Sequence, residues 1–153
     1  MKEVGIDRIK NVLKEIPFFE EFEEDELNYF AKQLSLRSVE TNTVLFRQDD
    51  IGDYMIFIVE GSVDVQLDSP TSKRIIANYG YGSCVGEMSI VDDYPRSATI
   101  MVTEPSELLI LTKNRFETIN EDNPRVGIKI IKGIARNLSR RLRGSTGRFA
   151  DLA

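Results

Sequence analysis

The stretch Gly82-Ser83-Cys84-Val85-Gly86-Glu87-Met88-Ser89-Ile90-Val91, continued by Asp92-Asp93-Tyr94-Pro95-Arg96-Ser97-Ala98-Thr99-Ile100, decides how the chain reads. Its glycines mark a tight turn, residues 87–91 follow as one helical turn, and a loop punctuated by Pro95 leads into a strand starting at Arg96. Amides at a helix start are unpaired and carry the positive end of the peptide dipoles. Gly86 lets a ligand approach that backbone closely. Arg96 supplies a planar fork suited to phosphate. An ionised Glu87 repels an anion but accepts hydrogen bonds from sugar hydroxyls. One ligand satisfies both residues if it presents a phosphate charge and a free hydroxyl close together, as a ribose carrying a cyclic phosphate does. The alternative for the same residues is a Glu–Arg surface pair beside a turn.

On either side of this stretch, residues 36–112 break into short β-rich runs. Val39 to Phe46 read as two strands around a turn at Thr41-Asn42, and residues 47–53 as a polar turn cluster. Tyr54-Met55-Ile56-Phe57-Ile58-Val59 is the strongest strand signal, and Glu60-Gly61-Ser62 turns it into Val63-Asp64-Val65-Gln66-Leu67. That last run alternates, which predicts one buried and one wet face. Asp68 to Ser72 form a hairpin tip, and Pro105-Ser106 a turn between two more strands. Many short strands with frequent turns predict an antiparallel roll or jelly-roll-like fold, not a parallel sheet.

Helices flank this region. Ile6, Ile9, Val12 and Leu13 have helical spacing up to a stop at Pro17. Glu23-Glu24-Asp25-Glu26 open a second helix whose apolar face is Leu27, Phe30, Ala31 and Leu34. This acidic start reads as solvated, not as a metal site. After the roll, a short helix is capped from Thr112. Asn123-Pro124 then open a long one with an apolar stripe of Val126, Ile130, Ile131, Ile134, Leu138 and Leu142. Gly144-Ser145-Thr146-Gly147 is expected to end it and leave a loose tail. The whole chain, 1–153, is thus expected to be one domain: helical lead-in 1–35, β-roll 36–112, C-terminal helices 113–143, loose tail 144–153.

Composition narrows the chemistry. The chain has no histidine, which removes histidine acid–base catalysis and histidine metal sites. Its single cysteine, Cys84, allows no internal disulfide and fits a cytoplasmic setting. No run approaches the about 20 apolar residues of a membrane span. The net charge is −5, yet residues 125–150 carry eight basic and no acidic side chains. That asymmetry raises nucleic acid, a membrane surface or an acidic protein face as a partner, or a helix pairing with the acidic N-terminal region.

Gly86-Glu87-Met88-Ser89-Ile90 with Pro95-Arg96-Ser97-Ala98-Thr99 resembles the phosphate-binding cassette of the cyclic nucleotide-binding domains, a family that includes the catabolite activator protein and kinase regulatory subunits. Asp49-Asp50-Ile51-Gly52-Asp53 and Ile56-Phe57-Ile58-Val59-Glu60-Gly61-Ser62-Val63 resemble its turn and strand signature. The likeness spans roughly residues 16–143. Asp49 stands where the family often has Gly, Val85 where it often has an aromatic, and Ser89 where it often has Ala. Asp tolerates the left-handed geometry such a turn needs.

The resemblance implies a mainly β fold, a double-stranded roll with N-terminal helices and a long C-terminal helix. It implies a ligand site of Gly86, Glu87, Met88, Ser89, Arg96, Ser97 and Ala98, with Glu87 on the ribose 2′-hydroxyl and Arg96 on the cyclic phosphate. In the family the last helix caps the base, and counting from Asn123-Pro124 puts Arg141 and Leu142 at that place. Ser97 favours cyclic AMP over cyclic GMP as the ligand. The expected function is a sensor that signals through its C-terminal helix, with no enzyme activity, no metal and no further cofactor. Its expected partners are the cyclic nucleotide, an unidentified protein effector and a second copy in a homodimer through the C-terminal helix. Nucleic acid is not expected, because the ten residues after Arg143 are too few for a helix-turn-helix reader. The alternatives are a ligand-free interaction module of the same fold, a fragment of a larger regulator, or a nucleic-acid or membrane binder driven by the basic helix.

Overall fold

Tyr54-Met55-Ile56-Phe57-Ile58-Val59 is apolar on both faces, so a strand of this composition has to be covered twice. The computed structural model, which describes the backbone of residues 2–152 and the side chains of residues 5–145, covers it twice. The run opens strand β3 (Tyr54–Asp68), where Met55 and Phe57 enter one core and Ile56 and Ile58 another. All four are fully buried.

The first core lies under the helices. It takes Ile9 and Leu13 of α1 (Lys2–Glu15), the 3-10 turn Pro17–Phe19, and Leu27, Phe30 and Ala31 of α2 (Glu24–Ala31). Phe18, Phe19, Phe22 and Phe30 gather around Phe57, with ring centroids 4.8–6.5 Å apart. The second core fills the roll. Strands β1 (Ser35–Val39), β6 (Thr99–Thr112), β3 and β4 (Lys73–Tyr79) lie side by side in that order. Strand β2 (Val44–Phe46) adds to β6, and β5 (Cys84–Val85) adds to β3. Every pairing is antiparallel, so the expected roll with helices before and after it is the observed fold.

Several local expectations are corrected. Glu60-Gly61-Ser62 and Pro105-Ser106 are not turns between strands; they lie inside β3 and β6, which pair from Tyr54↔Thr112 to Gln66↔Thr99. The register shifts between Ile58 and Val63, where the two strands bend together as a bulged corner. Gly61 sits at that corner with φ 94°, and a Cβ there would come within 2.0 Å of the Ser106 hydroxyl. Strand β6 begins at Thr99, not at Arg96, which lies in the loop. The run 63–67 does not alternate as expected. Gln66 is buried and Leu67 exposed, while inward-facing Val65 is only half-buried because it borders an open cleft.

The remaining helices are α3 (Met88–Val91), α4 (Lys113–Asp122) and α5 (Pro124–Leu152). Thr112 accepts the Arg115 amide at 3.1 Å, and Asn123 accepts the Val126 amide at 3.3 Å, as capping residues do. The predicted loose tail is wrong: α5 runs through residues 144–147 to Leu152. Glycine weakens a helix by about 1 kcal/mol but does not stop it, and no proline follows. The apolar stripe predicted for α5 is two stripes. Val126, Ile130 and Ile134 are buried against the helical core, whereas Ile131 and Leu142 are exposed. Gly133 rests on the Phe18 ring, where a Cβ would meet it at 2.5 Å. Among the described residues no helix is long and apolar enough to cross a membrane.

The acidic start of α2 and the basic face of α5 find each other. Lys129 pairs with Glu26 and donates to the Glu21 carbonyl at 2.9 Å, and Arg136 pairs with the Glu21 carboxylate at 2.9 Å. Glu26 is therefore buried, not solvated as the sequence suggested. Burial pushes its carboxyl pKa up, but Lys129 and the Glu23 amide outweigh this and hold it below its ordinary 4.5. Folding thus favours the ionised form, and the contribution is full above that value and lost as pH falls through the lower folded one. Glu26→Gln is expected to destabilise the fold by about 1.5–3 kcal/mol at neutral pH. In urea denaturation the gap to the unaltered chain should close on acidification; a gap constant with pH would show packing, not charge, at work.

Candidate functional site

Arg96 is placed by its backbone before its side chain acts. Its N–H donates to the Asp50 carbonyl at 2.7 Å, and its carbonyl accepts from the Asp49 amide at 2.8 Å. These two bonds clip the loop before β6 onto the turn after β2. Asp49 adopts φ 73°, the left-handed geometry anticipated for it.

The Arg96 side chain then runs inward and is only 4% exposed. Nη2 donates to the Tyr54 carbonyl at 2.7 Å, and Nη1 to the Ser89 hydroxyl at 3.0 Å and the Gly86 carbonyl at 3.2 Å. Its guanidinium lies over the Phe46 ring at 3.8 Å and near Tyr54 at 5.0 Å. Two glycines make room. A Cβ on Gly52 would stand 2.1 Å from Arg96 Nε, and one on Gly86 2.6 Å from Nη1. Among the described residues no carboxylate pairs with this cation, and Nε is buried without a partner. Burial lowers its pKa, while Tyr54, Asp53 and Glu87 act in the opposite sense. An arginine stays charged regardless, so a positive charge is held here with neutral ligands alone.

Glu87 precedes α3 and is 1% exposed. Its Oε1 accepts from Asn137 Nδ2 at 3.0 Å and from Arg141 Nη1. Arg141 also donates from Nη2 to the Cys84 carbonyl and lies over the Tyr79 ring at 4.4 Å. Cys84 is buried beneath, and burial, helped by Glu87, pushes its thiol pKa far up. Only four residues long, α3 adds little dipole, and the Ser89 and Ile90 amides are already taken by the Gly86 and Glu87 carbonyls. The site is therefore built from side chains more than from a helix start.

Between the two arginines lies a cleft open to solvent. Gly86, Glu87, Met88, Ser89, Arg96, Ser97 and Ala98 all line it, as does Arg141. Leu142 does not line it and is 68% exposed. The sequence reading missed Gly52, Phe46, Tyr54, Tyr79 and Asn137. Gly52 carried a signal as the turn glycine of Asp49-Asp50-Ile51-Gly52-Asp53, but the others read as ordinary strand and helix residues.

Residues 36–123, more than half of the chain, match the family model described as cyclic nucleotide-binding domain. The chain belongs to the cyclic nucleotide-binding domain family. It is 31% identical over 118 residues to a cyclic nucleotide-gated potassium channel of Rhizobium etli, covering 76% of this chain and 32% of the channel. It is 26% identical over 106 residues to a cAMP-dependent protein kinase regulatory subunit of Blastocladiella emersonii, covering 69% of this chain and 26% of that protein. The chain thus spans about a third or less of the curated relatives it matches. Among solved structures it resembles a cyclic nucleotide-binding domain from Methylobacillus flagellatus (TM-score 0.85, 27% identity, 97% of this chain and 84% of that one). It also resembles the Thermus thermophilus catabolite activator protein (TM-score 0.77, 26% identity, 89% and 62%).

The contact between Gly52 and Arg96 has a measurable consequence for this domain. Gly52→Ala is expected to lower the unfolding free energy by about 1–3 kcal/mol, the usual cost of overpacking. In an Arg96→Ala background the same change should cost less, because the two Arg96 atoms at 2.1 and 2.4 Å are gone and only the Ser89 hydroxyl at 2.6 Å remains in the way. Urea denaturation of the four proteins in the cycle measures this, and equal costs in both backgrounds would refute the contact.

Proposed function

We propose that the domain reversibly binds a 3′,5′-cyclic nucleotide, cyclic AMP in preference to cyclic GMP, and reports its presence through α5. The observation that carries this reading is Arg96, a buried guanidinium with no carboxylate partner at the wall of a cleft. A cation desolvated without a counter-ion is costly, and a singly charged phosphate diester entering the cleft offsets that cost. Glu87 takes the ribose hydroxyl, and Ser97 lends its hydroxyl beside the phosphate. Of the two residues expected over the base, Arg141 is the one bordering the cleft, so it takes the capping role and Leu142 does not.

Signalling follows from what holds Glu87. Asn137 and Arg141 belong to α5, so a sugar hydroxyl arriving at that carboxylate rearranges the bonds that dock the helix. A ligand moves a helix only through such differential contacts. No chemistry on the ligand is part of this reading: the domain binds, in a cytoplasmic setting, as a single module 1–153 or as one piece of a longer regulator. A second reading has its own support, because Asn137 and Arg141 of the chain itself donate to the Glu87 carboxylate. In that case the module is a ligand-free interaction domain.

Calorimetry with cyclic AMP and cyclic GMP tests the first reading against the second. Binding of cyclic AMP is expected, tighter than cyclic GMP. Arg96→Ala should weaken it by about 1.5–3 kcal/mol, some ten- to hundredfold. Arg96→Lys should recover only part, since a point charge does not reproduce the planar fork. Absence of binding, or undiminished affinity in Arg96→Ala, would favour the ligand-free module.

The second stripe of α5 supports a homodimer. Ile128 (57% exposed), Ile131 (40%) and Ala135 lie exposed on α5 at spacings of three and four, with Leu142 exposed two turns further on, while Leu138 between them packs partly on the helical core. Sedimentation equilibrium is expected to show a dimer that Ile131→Glu combined with Leu142→Glu dissociates. A monomer at every soluble concentration would remove the dimer from this reading.

A further inference from the structure

We propose that Tyr79 is a positioning residue that holds Arg141, and with it the C-terminal half of α5, closed over the cleft. The ligand arm of its test rests on the cyclic nucleotide reading; the inference about the free protein does not.

Tyr79 is the last residue of β4, opposite Val63 on β3. Strand alternation alone would put Tyr79 and Tyr81 on one face, but β4 ends at Tyr79 and the turn that follows sends the two rings to different helices. Tyr81 donates its hydroxyl to Glu15 of α1 at 3.3 Å, while Tyr79 turns its ring toward Arg141 of α5. The cleft wall carries aliphatic Val65, Val85 and Ile100 and the rings of Phe46, Tyr79 and Tyr94; Phe46 lies under Arg96, and Tyr79 under Arg141. An aromatic ring directly beneath a guanidinium is a specific arrangement.

The guanidinium is held from three directions. The Glu87 carboxylate and the Cys84 carbonyl accept from its edge, and the Tyr79 ring covers one face at 4.4 Å. Edge bonds fix where the group points but leave it free to tilt about the line joining them. A ring on the face removes that freedom, and the ring quadrupole attracts the charge it covers. An aliphatic side chain there fills space without attracting the cation. Fixing the tilt fixes how close α5 comes to the roll. Because Asn137 lies one helical turn before Arg141, its bond to Glu87 depends on the same docking.

The test uses the full chain with Tyr79→Leu and Tyr79→Phe, each alone and combined with Arg141→Ala. In the free protein, amide hydrogen exchange over residues 134–143 should accelerate about three- to thirtyfold in Tyr79→Leu and remain unchanged in Tyr79→Phe, which keeps the ring. Cyclic AMP affinity should fall in Tyr79→Leu by a similar factor, and Tyr79→Leu should add nothing once Arg141 is Ala. A Tyr79→Phe effect equal to that of Tyr79→Leu would overturn the proposal, as would an equal Tyr79→Leu effect with and without Arg141. If the unaltered chain binds no cyclic nucleotide, the ligand reading fails and the exchange measurements alone decide the role of Tyr79.

Discussion

The antiparallel pairing of β3 with β6 is the constraint from which the rest of the structure follows. The two strands stay hydrogen-bonded from Tyr54↔Thr112 to Gln66↔Thr99, through a shared bulged corner at Gly61. Their outer faces form the floor on which the helices pack, and their inner faces form the wall of the roll. Because both faces are buried, a one-residue slip would exchange the contents of two cores at once. The register is therefore fixed more tightly than in a sheet with one wet side. It also fixes where the flanking loops leave the roll, and the cleft is made from those loops.

The cleft is bounded by two arginines in opposite electrostatic states. Arg141 has a carboxylate, a carbonyl and an aromatic face, and is internally compensated. Arg96 has carbonyls, a hydroxyl and aromatic rings but no negative charge, and one N–H remains unsatisfied. Proteins seldom bury a cation in this way without using it. The asymmetry gives the cleft a direction: an anionic group is drawn to one end, while the other end is closed by a helix whose bonds can be exchanged.

Much of this was legible in the sequence, for identifiable reasons. The turn glycines, the apolar run 54–59 and the frequency of short strands implied the roll, and the cassette residues come together around one cleft. The corner at 60–62 was mistaken for a turn because Glu-Gly-Ser looks the same in a hairpin and in a bulge; only the partner strand distinguishes them. The long helix was cut short because glycine pairs resemble a cap when their cost is overrated. Tyr79 and Asn137 were missed because they act on other side chains, not on a ligand. Their roles depend on distances between segments far apart in the chain, and no local pattern encodes those.

Two of the ion pairs that tie α5 to the N-terminal region differ in kind. Lys129–Glu26 is sheltered, with side chains 19% and 4% exposed, whereas Arg136–Glu21 stands open at 37% and 49%. Dissolved salt screens the open pair and largely spares the sheltered one. Between them, Gly133 presses its backbone onto the Phe18 ring. Raising the ionic strength therefore slackens the clasp at Arg136, while the sheltered Lys129–Glu26 and Arg141–Glu87 pairs hold the helix on either side of it. The helix is thus a bar bearing on Gly133 and fastened on both sides of it, and the salinity of the medium sets the grip of the Arg136 clasp alone.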